Sequence, residues 1–479
     1  MHSHSRQQEL ISQLFEQWGG ESPADISALP PSGSDRKYFR IHYSKGSVIG
    51  AYNPIEEENT AFLTFTKHFR SKGLPVPEVL AEDTSSFVYL LEDLGDTTLF
   101  SLLPHQREPV FFGQEVMGYY KNILDCLPYF QIGAAKDIDF SVCFPRHAFD
   151  RNSMMWDLNY FKYYFLKLAG IIYDEQKLED DFQAFCDYLL EADDQYFLYR
   201  DFQSRNIMIR GGEPWFIDYQ GGRKGALQYD IASLLFDAKA NIHPSQREEL
   251  LDYYIQSLQK HIPVEAESFR AHFYGFVLIR IMQAMGAYGF RGFYEKKPLF
   301  LQSIPYAKRN MLWLLENNKI PASTPYLKVI VEKIIKSPRL KQYDKPSTGL
   351  KVSIRSFSYK KGFPADESGN GGGFVFDCRI LPNPGREAAY KKMTGKDVPV
   401  IEYLKKEPVV ADFVENTAAL VEKSVETYLE RGFTHLMVCY GCTGGQHRSV
   451  YSAERLAERL AGKFDITIDL QHSEELSWP

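Results

Sequence analysis

YFLYRDFQSRNIMIRGGEPWFIDYQGG, residues 196–222, reads as a short strand, a polar loop and two further strands. The last two, IMIR and WFID, are joined by Gly211-Gly212-Glu213-Pro214. Two apolar runs around such a turn predict a hairpin. Asn206 stands just before the outgoing strand and Asp218 ends the returning one, so antiparallel pairing should bring them together. Asp201 lies in the loop immediately upstream. Phosphoryl transfer uses such a set. One carboxylate orients the attacking hydroxyl and takes its proton, while a second carboxylate and an amide oxygen hold Mg²⁺ on the phosphates of ATP. Asp201 is therefore expected as base, with Asn206 and Asp218 as metal ligands and ATP and Mg²⁺ as cofactors. Asx turns alone would explain an isolated Asp-x4-Asn; the hairpin and the second Asp favour chemistry.

Around this stretch the chain is that of an ordinary globular protein of 479 residues, 44% hydrophobic and 24% charged. A net charge of −7 gives no general attraction to nucleic acid or anionic lipid. No apolar run is long enough to span a membrane, and the polar start MHSHSRQQEL lacks the core of a signal peptide. Cys126, Cys143, Cys186, Cys378, Cys439 and Cys442 form no disulfide or zinc pattern, which fits reduced thiols in a cytoplasmic protein. Residues 1–92 hold a strand-rich segment, and 93–326 are mostly helical. Residues 327–349 are basic and broken by Pro338, Pro346 and Gly349, as in a short helix and linker. A fresh strand pattern opens the segment 350–479.

RDFQSRNIMI and FIDYQGGRKGALQYDIASLL resemble the catalytic and metal loops of the aminoglycoside-phosphotransferase-like kinases. Asp230 falls on their structural Tyr-Asp pair. The resemblance implies an α+β bilobal protein-kinase-like domain over roughly residues 5–325. PSGSDRKYFRI, GLPVPEVLAED and LLEDLGD are similar to the nucleotide lobe of the anomeric amino-sugar kinases of cell-wall recycling. Glu92 and Leu94 would then belong to the adenine hinge. Two departures stand out. Tyr199 replaces the usual His, and the strand SVIGAYNP offers no phosphate-binding Lys. Arg36, Lys37 and Arg40, following the Ser32-Gly33-Ser34 loop, are the replacements to consider. Glu56, Glu57 and Glu58 are explained by a capping box with Asn53 as N-cap, without any ion pair to the nucleotide strand. Arg205, Arg223, Arg280, Gln283 and Arg291 are the expected contacts to an amino sugar or its carboxylate.

A second stretch, CYGCTGGQHRSV (439–450), lies between the apolar strand THLMVCYG and the amphipathic helix SVYSAERLAERLAGKF. A strand, a glycine loop and a helix N-terminus make an anion site. Cys442, Thr443, Gly444, Gly445, His447, Arg448 and Ser449 would line it, with Arg448 gripping phosphate. The Cys-x5-Arg-Ser spacing also matches cysteine-dependent phosphatases, which need a general acid; Asp377 is the nearest carboxylate to consider. FVFDCRILPNP, TGKD and GCTGGQHRSVYSAERLAERL resemble the C-terminal domain of RapZ-type proteins, over about residues 350–475. That resemblance implies a small α/β domain binding an amino-sugar phosphate, glucosamine-6-phosphate, through Thr443, Gly444, His447 and Arg448. In that family it also implies recognition of a small RNA, which the acidic DLQHSEELSWP disfavours here. The expected whole is a kinase forming the sugar 1-phosphate of N-acetylmuramic acid or N-acetylglucosamine. Its alternatives are a kinase-like scaffold with a regulatory metabolite- or RNA-binding domain, and a Cys442 phosphatase.

Overall fold

A computed structural model describes residues 6–29, 36–104, 109–344, 350–366, 368, 372–430, 433–464 and 466–478. The chain divides into two compact units, Met1–Leu340 and Lys341–Pro479.

The first unit opens with an antiparallel sheet of β1 (Asp25–Ala28), β2 (Lys37–Tyr43), β3 (Gly46–Tyr52), β4 (Val79–Asp83) and β5 (Val88–Glu92), in the order β1-β2-β3-β5-β4. Alternation along β2 decides what faces where. Phe39 and Ile41 pack on Ile11 and Phe15 of the helix Arg6–Gly19, together with Val48, Val88 and Leu90. Gly50 leaves room for Ile11, whose side chain a Cβ there would strike. Positions 36, 38 and 40 are left for the opposite face. There the helix Glu56–Ser71 stacks Phe62 on Tyr89 at 5.3 Å. That helix starts later than a capping box at Asn53 requires. Its N-cap is Ile55, which makes no side-chain cap bond. Asn53 instead accepts from the Ile55 amide (3.2 Å) and donates to Glu58 (2.9 Å).

The helical part is built around Ala266–Tyr288, whose middle, residues 273–282, is buried at every position. It packs on Gln228–Leu235, whose eight residues are all buried, and on Arg151–Tyr160. Gly286 and Gly289 allow the approach: a Cβ at either would run into the backbone of residues 160–165. Two small ribbons sit beside this core. β6 (Tyr196–Leu198) pairs with β9 (Arg223–Gly225), and β7 (Ile207–Arg210) pairs with β8 (Glu213–Phe216). The basic stretch, expected as a short helix followed by a linker, begins with that helix, packed as part of this unit. The helix Pro325–Lys336 buries Leu327, Ile330, Val331 and Ile334, and the Leu327 amide donates to Asp181 at 2.7 Å. Its lysines lie on the opposite side of an apolar stripe, so the composition reads as linker while the periodicity makes a packed helix.

The second unit is a parallel sheet ordered β11-β12-β10-β13, with β10 Lys351–Ser358, β11 Gly373–Asp377, β12 His435–Cys442 and β13 Thr467–His472. β12 is buried from Leu436 to Cys442, as a central parallel strand should be. Val352, Ile354, Val438 and Tyr440 form one core with Val421, Val425, Leu456 and Leu460 from the helices Pro408–Glu430 and Arg448–Lys463. Phe357, Met437 and Cys439 occupy the other face of the sheet.

Candidate functional site

β6 feeds the chain into the loop 199–206 of the first unit, and one buried carboxylate sets that loop's path. Asp230 accepts the amides of Tyr199 (2.8 Å) and Arg200 (3.0 Å), and a third bond from Gln131 (3.0 Å). Arg200 takes a left-handed backbone (φ 84°), a costly conformation that these bonds hold in place. Its guanidinium is anchored to Asp157 (2.8 Å) and the Tyr229 hydroxyl (2.7 Å). Tyr199, fully buried, donates its hydroxyl to the Ile217 carbonyl (2.7 Å). The residue standing where a His was expected thus ties this loop to the strand end that carries Asp218.

The hairpin behaves as its turn chemistry demands. Gly211 and Gly212 both have positive φ, 60° and 86°, as a two-residue primed turn requires. Ile207 pairs with Phe216, and the Ile217 amide donates to the Asn206 carbonyl. The side-chain amide of Asn206 donates to Asp218 Oδ2 (3.0 Å) and to the Asp201 carbonyl (2.9 Å). Both bonds use the nitrogen, so the Asn206 carbonyl oxygen stays available to a cation. Gln220 donates to Asp218 Oδ1 at 2.8 Å. Burial, then the neighbouring charge of Asp201, pushes the Asp218 carboxyl above the usual carboxylate range. A bound cation would reverse that pressure, and an all-oxygen donor set suits Mg²⁺.

Opposite these groups stands an ion pair that the sequence reading ruled out. Arg36, almost wholly buried, places Nη2 3.1 Å from Glu58 Oε1. Its Nε has no hydrogen-bond partner, and its Nη1 reaches the Tyr38 hydroxyl at 3.3 Å. Sequence inspection missed this pair because Arg36 precedes β2, whereas the kinase pattern places the cation on the next strand. The three-glutamate run concealed Glu58 as one helix-start carboxylate among several.

A cleft of about 930 Å³ runs between the sheet and the helical part of this unit; Tyr38, Leu94, Asp201, Asn206, Asp218 and Arg223 are among its walls. Glu92 also lines it, with its carboxylate held by Arg210. The other nucleotide-side expectations divide. Arg40 lines the cleft, yet its guanidinium is clamped by Asp93 (2.7 Å) and Asp96 (2.9 Å), so it braces the 92–96 segment and is not free for phosphate. Lys37 is exposed on the Phe39 side of β2, facing away from the cleft by strand alternation. Ser32, Gly33 and Ser34 lie outside the described residues.

On the acceptor side, Arg205, Arg223 and Gln283 line the cleft. Arg205 is exposed and lies over the Phe100 ring at 4.2 Å. Arg280 binds Ser233 (2.9 Å) and Gln283, and its Nη2 stands 3.6 Å from Asp201 Oδ1. Arg291 is not brought into the cleft: it binds Glu295 (2.8 Å), four residues on along its own helical segment.

In the second unit, the loop between β12 and the helix Arg448–Lys463 sits at the carboxyl ends of the parallel strands. Gly445 has φ 64°, and a Cβ there would strike Glu474. The Cys442 sulfur lies 3.2 Å from the Gly445 amide and 3.1 Å from the Ser449 hydroxyl. Burial disfavours its thiolate, but bonds from Ser449 and from the Ser449 and Gly444 amides, with the Arg448 charge, lower the thiol below its ordinary value. Arg448 is held by the carbonyls of Arg379 (3.1 Å) and Leu381 (3.0 Å) and nears Thr443 Oγ1 at 3.5 Å. Among the described residues no carboxylate lies within ion-pair distance of it, and its Nε is unpartnered. His447 Nε2 meets the Tyr390 carbonyl at 3.0 Å, and Gln446 donates to the Met393 carbonyl at 2.7 Å. The loop is thereby tied to the segment 390–393. Asp377, at the end of β11, is clamped by Arg379 at 2.6 Å, which holds its carboxyl below the usual range.

Residues 146–265 match the model of the phosphotransferase enzyme family, and residues 350–475 match the RapZ C-terminal domain. Over 128 residues the chain is 43% identical to a nucleotide-binding protein of Polynucleobacter asymbioticus, covering 27% of this chain and 41% of that one. It is 38% identical over 130 residues to one from Neisseria meningitidis serogroup B, covering 27% of this chain and 44% of that one. The chain thus spans less than half the length of these relatives. Choline kinase LicA from Streptococcus pneumoniae aligns over 65% of this chain and 100% of its own, with 14% identity and a TM-score of 0.44. An ethanolamine kinase of Plasmodium vivax aligns over 62% and 84%, with 14% identity and a TM-score of 0.45. The first unit has the kinase-like phosphotransferase fold, and the second is an α/β domain of the RapZ C-terminal type.

Two outcomes test this geometry. Asp230→Ala orphans the Tyr199 and Arg200 amides, each worth ~1–3 kcal/mol when buried and unsatisfied. Urea unfolding should show a loss of about 3 kcal/mol, and a loss below ~1 kcal/mol would mean the loop does not depend on Asp230. Of the six cysteines, Cys442 alone is shifted downward, while burial raises the other five. Iodoacetamide labelling read by mass spectrometry should modify Cys442 with a midpoint below the ordinary thiol value of about 8.5.

Proposed function

We propose that this chain is an ATP-dependent kinase that phosphorylates the anomeric hydroxyl of an amino sugar, N-acetylmuramic acid or N-acetylglucosamine, and carries a domain that binds an amino-sugar phosphate. The observation that carries the kinase reading is the meeting of Asp201, Asn206 and Asp218 at one hairpin end, in a cleft also lined by Glu58, the partner of Arg36. The sugar is inferred from the pairing of a phosphotransferase domain with a RapZ-type domain in one chain. That is an argument by analogy and not by geometry.

In this reading Asp201 orients the acceptor hydroxyl and takes its proton, while Arg280, 3.6 Å away, steadies the carboxylate. Asp218 and the Asn206 carbonyl oxygen would hold Mg²⁺, which supplies charge neutralisation on the phosphates. Arg36, kept in place by Glu58, takes the part of the missing strand Lys toward the nucleotide phosphates. Glu92 and Leu94 flank the nucleobase. Among the described residues no helix is long and apolar enough to cross a membrane, which accords with a cytoplasmic enzyme.

A phosphatase reading has one observation in its favour, the lowered Cys442 thiol. It lacks an acid: the lowered, Arg379-clamped Asp377 is not a group that stays protonated for a leaving group. Holding phosphate needs only the loop donors and Arg448.

Asp201→Asn should abolish turnover on N-acetylglucosamine and N-acetylmuramic acid while nucleotide affinity is kept, and Asp218→Asn should weaken Mg-ATP binding itself. Wild-type turnover in Asp201→Asn would remove the base assignment. Phosphorus NMR should show an acid-labile 1-phosphate, and a 6-phosphate would overturn the regiochemistry.

In calorimetry with glucosamine-6-phosphate, Arg448→Ala should lose about 2–5 kcal/mol of affinity and Cys442→Ser little. Phosphate release by the wild type that vanishes in Cys442→Ser would establish the phosphatase instead.

A further inference from the structure

Arg223 opens β9 opposite Leu198, one strand away from the loop that presents Asp201. It is 6% exposed and lines the cleft beside Asp201, Gly221 and Gln283. Its Nε donates to the Gly221 carbonyl at 3.0 Å, and its Nη2 is 3.5 Å from the Phe144 carbonyl. Among the described residues no carboxylate lies within ion-pair distance of it. Three neighbouring cations of this unit are answered: Arg36 by Glu58, Arg200 by Asp157 and Arg280 by Asp201. Arg247 is also buried without a carboxylate partner, but it stacks on Phe236 at 4.5 Å and does not line the cleft.

A buried guanidinium without a counter-charge is costly unless something supplies one. Burial, then the nearby Arg200 charge, lowers Arg223 to about 10 against a weaker opposing pull from Asp157 and Asp201, so it stays a cation at neutral pH without a carboxylate in contact. Resting on the kinase reading above, we infer that Arg223 is the specificity determinant of the acceptor site and that it binds a carboxylate of the sugar, so that an acidic amino sugar is favoured over its neutral counterpart. The fork of Arg223 suits a planar carboxylate. Arg205 is less suited, being exposed and laid over Phe100, and Arg291 is held by Glu295.

The test is the ratio of kcat/KM for N-acetylmuramic acid to that for N-acetylglucosamine, measured on the full chain with Mg-ATP. The wild type should favour the acidic sugar. Arg223→Ala should cut the ratio by roughly 30-fold or more, the factor equivalent to the ~2 kcal/mol lower bound for breaking a buried charge pair. Arg223→Gln keeps donors toward Gly221 and should cut the ratio similarly, which serves if the alanine variant does not fold. An equal loss on both sugars, or no turnover of either by a folded variant, would place Arg223 on the transferred phosphoryl group and overturn the inference. Wild-type turnover of both sugars without preference would overturn it and leave the kinase reading intact. Turnover of neither sugar by the wild type would overturn both.

Discussion

The Asp230 carboxylate holds the first unit's site together. It accepts two consecutive backbone amides and one side-chain amide at a position from which water is excluded. Those bonds make the left-handed turn at Arg200 sustainable, and that turn aims Asp201 into the cleft. Tyr199 then carries the constraint onward to the Ile217 carbonyl and so to Asp218. A chain of polar contacts thus links Asp230 to both Asp201 and Asp218. Each link is costly to break because its partner cannot turn to solvent.

The second unit solves a similar problem with backbone alone. Its loop leaves a fully buried parallel strand, turns through a left-handed glycine and enters a helix, so several amides converge where Cys442 and Arg448 meet. Arg448 is held by two carbonyls, and among the described residues no carboxylate lies within ion-pair distance of it. Arg223 in the first unit shows the same signature of a buried cation given position but no counter-charge. In both places the fold spends stability to keep a cation unanswered, which is the electrostatic form of preorganisation.

Substitutions away from the usual kinase pattern are absorbed by geometry. Tyr199, standing where the pattern has a histidine, donates to the Ile217 carbonyl. Arg36 approaches from one strand earlier than a strand Lys, and its longer, forked side chain spans the difference to Glu58. Arg40, equally plausible by charge, is drawn off by Asp93 and Asp96. Charge alone could not separate the two arginines; their neighbours did.

Local sequence determined the features that depend on neighbours in the chain. The Gly211-Gly212 hairpin, the juxtaposition of Asn206 and Asp218 at its open end, and the strand–loop–helix at Cys442–Arg448 follow from turn chemistry and periodicity within a few dozen residues. Tertiary structure decided everything that depends on partners far along the chain. It paired Arg36 with Glu58, withdrew Arg40 and Arg291 into other ion pairs, turned Lys37 outward and set Arg223 in the wall of the cleft. It also gave the short helix expected after residue 325 its packing, because the apolar stripe of Leu327, Ile330, Val331 and Ile334 found a surface to bury against. A sequence displays which side chains carry charge. Which of those charges are neutralised is set by distances between residues tens to hundreds of positions apart, and only the folded chain fixes those distances.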